Sequence, residues 1–357
     1  MLRRSAPCQF ADGRRSEAHR RRAARQAGPV PVLSVCSGGV TVRAYRARRT
    51  TLAVPGSNPR FIAKAREQPV DEVFLDLEDA VAPAEKEQSR GLVAQALTDG
   101  GWGGRIRAVR INDARTRWAY RDVIDVVEQA GACLDSIVLP KVTGPADVFW
   151  LDLLLSQLEQ AAGLAPGQIA IEAQIEDAPG LASVEAIAAA SPRLEALIFG
   201  PADFMASLGM RSLTVGAPPA SYPGDAFHYA HLRILTAARA SGLQAIDGPF
   251  AAIADLDGLR ASSASAAALG FDGKWVVHPG QVEAVNAEFS PAQGDYDRAE
   301  LIIEAYEYYT TVLRQGAAML EGEMIDEASR KLALVTAARG QAARLRRTRR
   351  FEPPAAP

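Results

Sequence analysis

From residue 50 to about residue 340 the chain repeats one rhythm. A short β-branched apolar run is followed by a polar cluster and then by a stretch with apolar residues three and four apart. The runs are Thr51–Val54, Glu72–Leu75, Ile106–Arg110, Ser136–Leu139, Ile169–Gln174, Ala196–Phe199, Gln244–Ile246 and Lys274–Val277. They read as strands. Between them Glu85–Leu97, Tyr120–Gln129, Val148–Ala161, Leu181–Ala190, Tyr229–Ala240 and Leu256–Ala268 read as amphipathic helices. Strands alternating with helices imply βα units and a parallel sheet. Eight units in this length fit a closed (β/α)8 TIM barrel of roughly 250 residues. A doubly wound open sheet is the rival, weakened because no GxGxxG follows any run. After the eighth run, Pro291–Gln315 and Met324–Ala338 read as two more helices separated by a turn at Glu321-Gly322. They form a C-terminal helical extension beyond what a barrel needs. The expected division is a basic disordered extension (1–48), the barrel (49–285), a helical lid or oligomerisation segment (286–340) and a basic disordered tail (341–357).

A polar cluster follows each run: Pro55–Asn58, Asp76–Asp79, Asn112-Asp113, Lys141, Glu176-Asp177, Pro201–Asp203, Asp247–Pro249 and His278–Gly280. In a barrel these gather on the rim at the strands' carboxyl ends, where catalytic groups of such folds sit. Any one of them is also ordinary turn chemistry.

Composition narrows the class. The 357 residues are 48% hydrophobic and 23% charged, which suits a globular domain and excludes a wholly disordered chain. No apolar run nears the ~20 residues of a membrane span. Three scattered cysteines and four histidines give neither a disulfide framework nor a multi-histidine zinc site. A cytoplasmic location is the default. The net charge of −2 hides a strongly arginine-rich start, which reads as a transit peptide, a nucleic-acid-binding arm or a disordered extension. The extension, including an upstream start, is preferred because the segment has no apolar face and no interleaved aromatics.

Several residues carry candidate chemistry. Glu176 and Asp203 follow consecutive strands, close enough over a rim to share one cation. Oxygen donors without histidine or thiolate favour a hard ion such as Mg²⁺, with Mn²⁺ as a substitute. The plain alternative makes each a helix cap or a turn acid. Arg110 ends the third strand, and its guanidinium needs an anion: a substrate carboxylate, or a structural partner in Glu78 or Asp79. Asp79 is expected to cap the next helix. Ser57-Asn58-Pro59 opens a helix that carries Arg60 and Lys64 on one face, either an anion site or a solvated helix start. His278 reads as structural, since GxSxG is missing and no nucleophilic elbow accompanies it.

Together these stretches resemble the citrate lyase β-subunit/HpcH–HpaI aldolase superfamily, in its malyl-CoA/β-methylmalyl-CoA lyase branch. The matching segments include VPGSNPRFIAKA (54–65), VFLDLEDAVAPAEKEQSR (73–90), RAVRIND (107–113), IVLPKV (137–142), IEAQIEDAPGL (171–181), LIFGPADFMASLGMR (197–211), LGFDGKWVVHPGQVEAVN (269–286) and LEGEMID (320–326). The resemblance implies a (β/α)8 barrel, a homotrimer or homohexamer, Mg²⁺, and an acyl-CoA with a small α-keto acid as reactants. It implies Glu176 and Asp203 as metal ligands, Arg110 as the keto-acid clamp and Glu78 as a pocket acid. Arg60 and Lys64 fall in the region that meets CoA phosphates. Asp326 matches a catalytic aspartate supplied by a neighbouring subunit. Glu323 departs from the family, where a basic residue often precedes Met-Ile-Asp. The implied reaction is reversible cleavage of malyl-CoA or β-methylmalyl-CoA to glyoxylate and acetyl-CoA or propionyl-CoA. Citramalyl-CoA cleavage and malyl-CoA thioester hydrolysis are the alternatives. Nucleic-acid binding through the basic ends is a remote one.

Overall fold

A computed structural model describes residues 31–32, 43–217 and 222–353. Eight parallel strands close into a barrel: β1 (Thr50–Pro55), β2 (Glu72–Asp76), β3 (Ile106–Arg110), β4 (Ser136–Leu139), β5 (Ala170–Ile175), β6 (Leu194–Phe199), β7 (Gln244–Asp247) and β8 (Gly273–Val276). Strand β8 pairs with β1 to complete the circle. The TIM-barrel reading therefore holds, and the open-sheet rival falls.

Alternation along each strand sorts side chains to two faces. Outward residues such as Val73, Leu75, Val109, Ile137 and Leu197 pack under the helices in one large apolar layer. Inward residues Phe74, Ala108, Val138, Ile198, Ile246 and Trp275 fill the barrel's middle. Above this plug sit Asp76, Arg110 and Glu176; below it lie Glu72 and Glu172. The interior is thus an apolar layer between two polar ones.

The lower layer is closed by the chain just before β1. Arg48, 1% exposed, donates to Glu72 (2.8 Å), Glu195 (2.6 Å) and Glu172 (3.4 Å), and to Gln244. Arg46 pairs with Asp135 at 3.0 Å, and Arg49 with Asp71. The boundary drawn at residue 48 is therefore too late: residues 46–48 belong to the barrel floor, because buried glutamates need these guanidinium groups. Of the rest of the expected 1–48 extension, only Tyr45 and a two-residue pairing of Pro31–Val32 with Arg43–Ala44 fall within the described residues.

The outer helices are α1 (Pro59–Ala65), α2 (Lys86–Thr98), α3 (Ala119–Ala130), α4 (Pro145–Ala162), α5 (Ala178–Ala182), α6 (Val184–Ala188), α7 (Pro201–Ser207), α8 (His228–Ala240), α9 (Leu256–Leu269) and α10 (Val282–Glu288). The single helix expected over 181–190 is split at Ser183. Asp79 does not cap α2: the turn at Pro83 delays that helix, and Glu85 takes the cap position. No helix among the described residues is long and apolar enough to cross a membrane.

Helix α11 (Gln293–Thr311), a hairpin of β9 (Ala318–Leu320) and β10 (Glu323–Ile325), and α12 (Glu327–Ala342) form the extension. The helix expected from Met324 starts later because Met324 and Ile325 pair in the hairpin. Helices α11 and α12 pack through Tyr296, Ala299, Ala333 and Ala337. They approach closely: a Cβ on Gly340 would lie 2.2 Å from the Tyr296 ring. Arg339 donates to the Gly270 and Phe271 carbonyls and to Asp272, all just before β8, so the end of α12 is fastened at the barrel's amino-terminal face.

The tail expected to be disordered from 341 is tied down as far as it is described. Arg347 pairs with Glu304, Arg349 with Glu321, and Asp297 accepts from the Thr348 N–H at 2.7 Å. Phe351 packs near Tyr308 and Tyr309. The arginines are counterions to acids of α11 and the hairpin, which their clustering in sequence concealed.

Candidate active site

Register brings the rim together. Asp76 and Arg110 are paired positions on β2 and β3. The guanidinium grips Asp76 twice, from Nε at 2.8 Å and Nη2 at 2.7 Å. Its Nη1 lies 3.0 Å from Glu78 Oε2. Asp76, rather than the Asp79 considered from sequence, is thus the main structural partner, and Glu78 is the second. A guanidinium has five N–H donors. Two bond Asp76, so three make no hydrogen bond among the described residues, although Nη1 is within ion-pair range of Glu78. Arg110 is also stacked, its guanidinium carbon 4.9 Å from the Trp275 ring centroid and 5.7 Å from that of Phe74. Both readings of Arg110 are present at once: it is held by a structural ion pair and keeps donors for a further anion.

The loop after β2 is rigid. Asp76 accepts from the Glu78 and Ala80 N–H groups, and Lys86 donates to the Leu77 and Glu78 carbonyls. Glu78 is thereby fixed with one oxygen 2.6 Å from Lys141 Nζ. Its other oxygen, Oε2, is buried and accepts no hydrogen bond despite the nearby Arg110. Burial, above all, pushes the Glu78 carboxyl up, against the opposing pull of Arg110 and Lys141.

Glu176 follows β5 and is 2% exposed. Its oxygens accept from the Lys141 main-chain N–H and from Gln174 Nε2, each at 2.6 Å. Burial first, then the charges of Glu78 and Asp203, push its carboxyl up to about 8. Neither Glu176 nor Asp203 is a helix cap. Asp177 takes that role for α5, accepting from the Gly180 N–H at 2.6 Å, and Gly200 precedes α7. Asp203 stands in the first turn of α7, half-exposed, 3.7 Å from Lys141 Nζ. Gly200 leaves the space that Glu176 fills: a Cβ there would lie 2.3 Å from the Glu176 Cβ.

Lys141 links these groups and was missed as a site residue from sequence. Its φ is +51°, in the region L-residues rarely adopt. Burial alone would lower its pKa, but the hydrogen bond and charge of Glu78, then Glu176 and Asp79, outweigh this and hold the ammonium charged. The available signal was its place as the only lysine among the strand-end clusters.

Three buried polar atoms at the rim and just beneath it have no hydrogen-bond partner: Glu78 Oε2, Gln174 Oε1 and Trp275 Nε1. Each such orphan costs about 1–3 kcal/mol, and the floor has its own in Glu72 Oε1 and Glu172 Oε2, but the rim lies at the open loop end of the strands, where a polar ligand can complete Glu78. The donor set is oxygen-rich, and Glu176 carries like-charge strain that a cation relieves. Both features fit a hard divalent ion. No group of three or more His, Cys, Asp or Glu among the described residues closes on one point. The chain would then supply two carboxylates and leave the remaining positions to substrate oxygens and water.

The other sequence candidates lie apart from this cluster. Arg60 and Lys64 are exposed on α1, whose cap Asn58 accepts from the Phe61 N–H. His278 caps a short turn through Nδ1, 3.0 Å from the Gly280 N–H, in keeping with a structural role. Asp326 caps α12 and forms a reciprocal capping box with Ser329. Its carboxylate bonds no rim residue of its own chain among those described.

The sequence profile of the HpcH/HpaI aldolase/citrate lyase family matches residues 49–279. An L-malyl-CoA/β-methylmalyl-CoA lyase of Cereibacter sphaeroides is 40% identical over 299 residues, covering 81% of this chain and 93% of the relative. A (3S)-malyl-CoA thioesterase of the same species is 35% identical over 295 residues, covering 82% and 95%. Among solved structures, protein CitE of Mycobacterium tuberculosis in complex with magnesium, acetoacetate and coenzyme A superimposes with a TM-score of 0.63 at 27% identity. That match covers 83% of this chain and 98% of the other.

Proposed function

The chain belongs to the HpcH/HpaI aldolase/citrate lyase family, and from that premise we propose that it is a Mg²⁺-dependent carbon–carbon lyase acting on malyl-CoA or β-methylmalyl-CoA. The products are glyoxylate with acetyl-CoA or propionyl-CoA, and the reaction is reversible. The observation that carries this reading is the rim itself. A guanidinium with three donors making no hydrogen bond stands on the same rim as two carboxylates suited to one divalent ion, in a chain 40% identical to a lyase of this name.

The chemistry follows from the residues. Arg110, stiffened by Asp76 and stacked on Trp275, offers its remaining donors to the carboxylate of the keto acid. Glu78 lines the same pocket. Glu176 and Asp203 would hold Mg²⁺, which would supply Lewis-acid polarisation of a substrate oxygen and offset the substrate's negative charge. In the cleavage direction the hydroxyl proton leaves and the bond between the hydroxyl carbon and the α carbon breaks. The electron pair passes to the thioester enolate, which takes a proton at the α carbon. In condensation Asp326 removes that α proton as general base. Within one chain Asp326 is engaged in its capping box, and α12 is anchored at the opposite face of the barrel. The anchoring of α12 at that face supports taking the carboxylate from a neighbouring copy, in a homotrimer or homohexamer. Arg60 and Lys64, exposed on α1, offer cations for the CoA phosphates. The three scattered cysteines support a cytoplasmic location.

Hydrolysis of malyl-CoA is the second reading, supported by the 35% identical thioesterase. Citramalyl-CoA cleavage, with pyruvate as keto acid, is the third. Nucleic-acid binding loses support because Arg347 and Arg349 are paired with acids of their own chain. The test is incubation with Mg²⁺, glyoxylate and acetyl-CoA or propionyl-CoA, followed by mass spectrometry of thioesters. A new malyl-CoA-type mass that disappears with chelator supports the lyase. No new thioester, with free malate released from supplied malyl-CoA, replaces it with the hydrolase.

A further inference from the structure

Lys141 touches both carboxylates assigned to the metal, through different atoms. Its main-chain N–H holds Glu176 Oε1 at 2.6 Å. Its ammonium lies 2.6 Å from Glu78 Oε1, 3.4 Å from Asp79 Oδ2 and 3.7 Å from Asp203 Oδ2. We propose that Lys141 is a positioning residue that sets the metal affinity of the site: its backbone fixes Glu176, and its ammonium competes with the divalent ion for the charge of Glu78 and Asp203. The inference rests on the metal reading above and deepens it.

The backbone supports this first. A left-handed lysine is a strained choice, and it persists only where the surroundings over-determine it. Here the carbonyl of Lys141 accepts from Arg115 at 3.3 Å, and the next N–H, of Val142, donates to the Gln174 carbonyl. These bonds turn the Lys141 N–H toward Glu176 while the side chain crosses the rim toward β2 and α7. An extended backbone would not serve both directions.

Charge gives the sign. An ammonium among carboxylates neutralises part of their field. A divalent ion entering beside Glu176 and Asp203 meets the repulsion of that ammonium and a reduced attraction from the acids it covers. The lysine therefore keeps metal binding weak and exchangeable while it protects the acids from mutual repulsion. A lysine that served only as scaffolding predicts the reverse, because removing it would loosen the ligands and weaken metal binding.

The experiment compares wild type, Lys141→Met and Lys141→Arg for Mn²⁺ binding by electron paramagnetic resonance and titration calorimetry, with thermal melts in chelator and in Mn²⁺. Lys141→Met is expected to bind Mn²⁺ about tenfold more tightly. It is also expected to melt lower in chelator and to regain that loss in Mn²⁺. Lys141→Arg should bind within roughly threefold of wild type, since it keeps the charge. Lys141→Gln replaces the methionine variant if that one fails to fold. Equal or weaker Mn²⁺ binding by a folded, uncharged variant, with normal binding by wild type, overturns the competition and leaves the metal assignment standing. Failure of wild type itself to bind Mn²⁺ overturns the assignment and the competition with it.

Discussion

Replacing Gly200 with alanine separates the rim's geometry from its composition, because no charged or polar side chain changes. The added Cβ would stand 2.3 Å from the Glu176 Cβ, 2.6 Å from Glu176 Oε2 and 3.0 Å from Gln174 Nε2. Comfortable carbon contacts begin at about 3.5 Å, so the glutamate must retreat by about 1 Å. It has no slack: both oxygens are held by donors at 2.6 Å, and such a retreat carries both bonds out of range. Overpacking of this kind costs about 1–3 kcal/mol. At about 2–4 °C per kcal/mol the Tm falls by about 2–12 °C. Misplacing a ligand carboxylate by about 1 Å lowers turnover on the order of 100-fold. The matched control is Gly91→Ala in α2, where a Cβ meets nothing within 4 Å. That change should leave activity intact and add about 0.5–1 kcal/mol of stability, because helical alanine loses less entropy than glycine. Differential scanning fluorimetry, Mn²⁺ titration and the condensation assay report all three effects. A Gly200→Ala protein with wild-type turnover and Mn²⁺ affinity would refute the role given to Glu176.

Arg110→Lys keeps a charge but loses the double grip on Asp76 and the planar fork; the KM for the keto acid should rise about 10- to 100-fold, from hydrogen bonds to charge worth about 1.5–3 kcal/mol each. An unchanged KM would remove Arg110 from the keto-acid site. Asp326→Ala and Arg110→Ala should each be inactive alone, yet regain part of the activity when unfolded together and co-assembled, since some sites then combine two intact halves. Mixed oligomers without activity would sink the exchange of Asp326 between copies. Burial and the adjacent Glu172 charge push the Glu72 carboxyl up to about 8 despite Arg48. A raised folded-state value contributes stability below the ordinary value of 4.5 and loses it as pH rises through about 8. Urea unfolding should therefore show stability declining across that window, and Glu72→Gln should flatten the decline; an unaltered slope would place the coupling elsewhere.

The alternation of apolar runs and helices was enough to read the barrel, because period two and period 3.6 are local properties of the chain. Glu176, Asp203 and Arg110 were legible for the same reason: each follows a strand, and closure of the sheet brings strand ends together. What escaped was set by partners distant in sequence. Arg48 looked like one more arginine of a basic extension, yet its four acceptors come from β2, β5, β6 and β7. The basic tail looked free because its acids, Glu304 and Glu321, precede it by dozens of residues. Met324 and Ile325 looked helical because hairpin pairing with Ala318 and Met319 leaves no trace in periodicity over so short a run.

The two ends of the barrel explain why an arginine amid acids is not by itself a site. Arg48 and Arg110 are both buried, and both face carboxylates on β2. At the floor, Glu72, Glu172, Glu195 and Gln244 all receive Arg48. At the rim, Arg110 hydrogen-bonds Asp76 alone, with Glu78 beside its Nη1, and three of its donors make no hydrogen bond, whereas Arg48 reaches four acceptors. The distinction follows from direction. Parallel strands deliver their carboxyl ends into loops that are free to vary, whereas their amino ends are sealed here by the chain entering β1. Chemistry therefore concentrates where the strands end, and the matching charges at the other end hold the barrel closed. On this argument Arg48→Met should lower stability by about 3–5 kcal/mol, as loss of one partner from a buried ion cluster does. It should leave the KM for both substrates unchanged in the protein that remains folded. A raised KM without loss of stability would show that the floor and the rim are not separate.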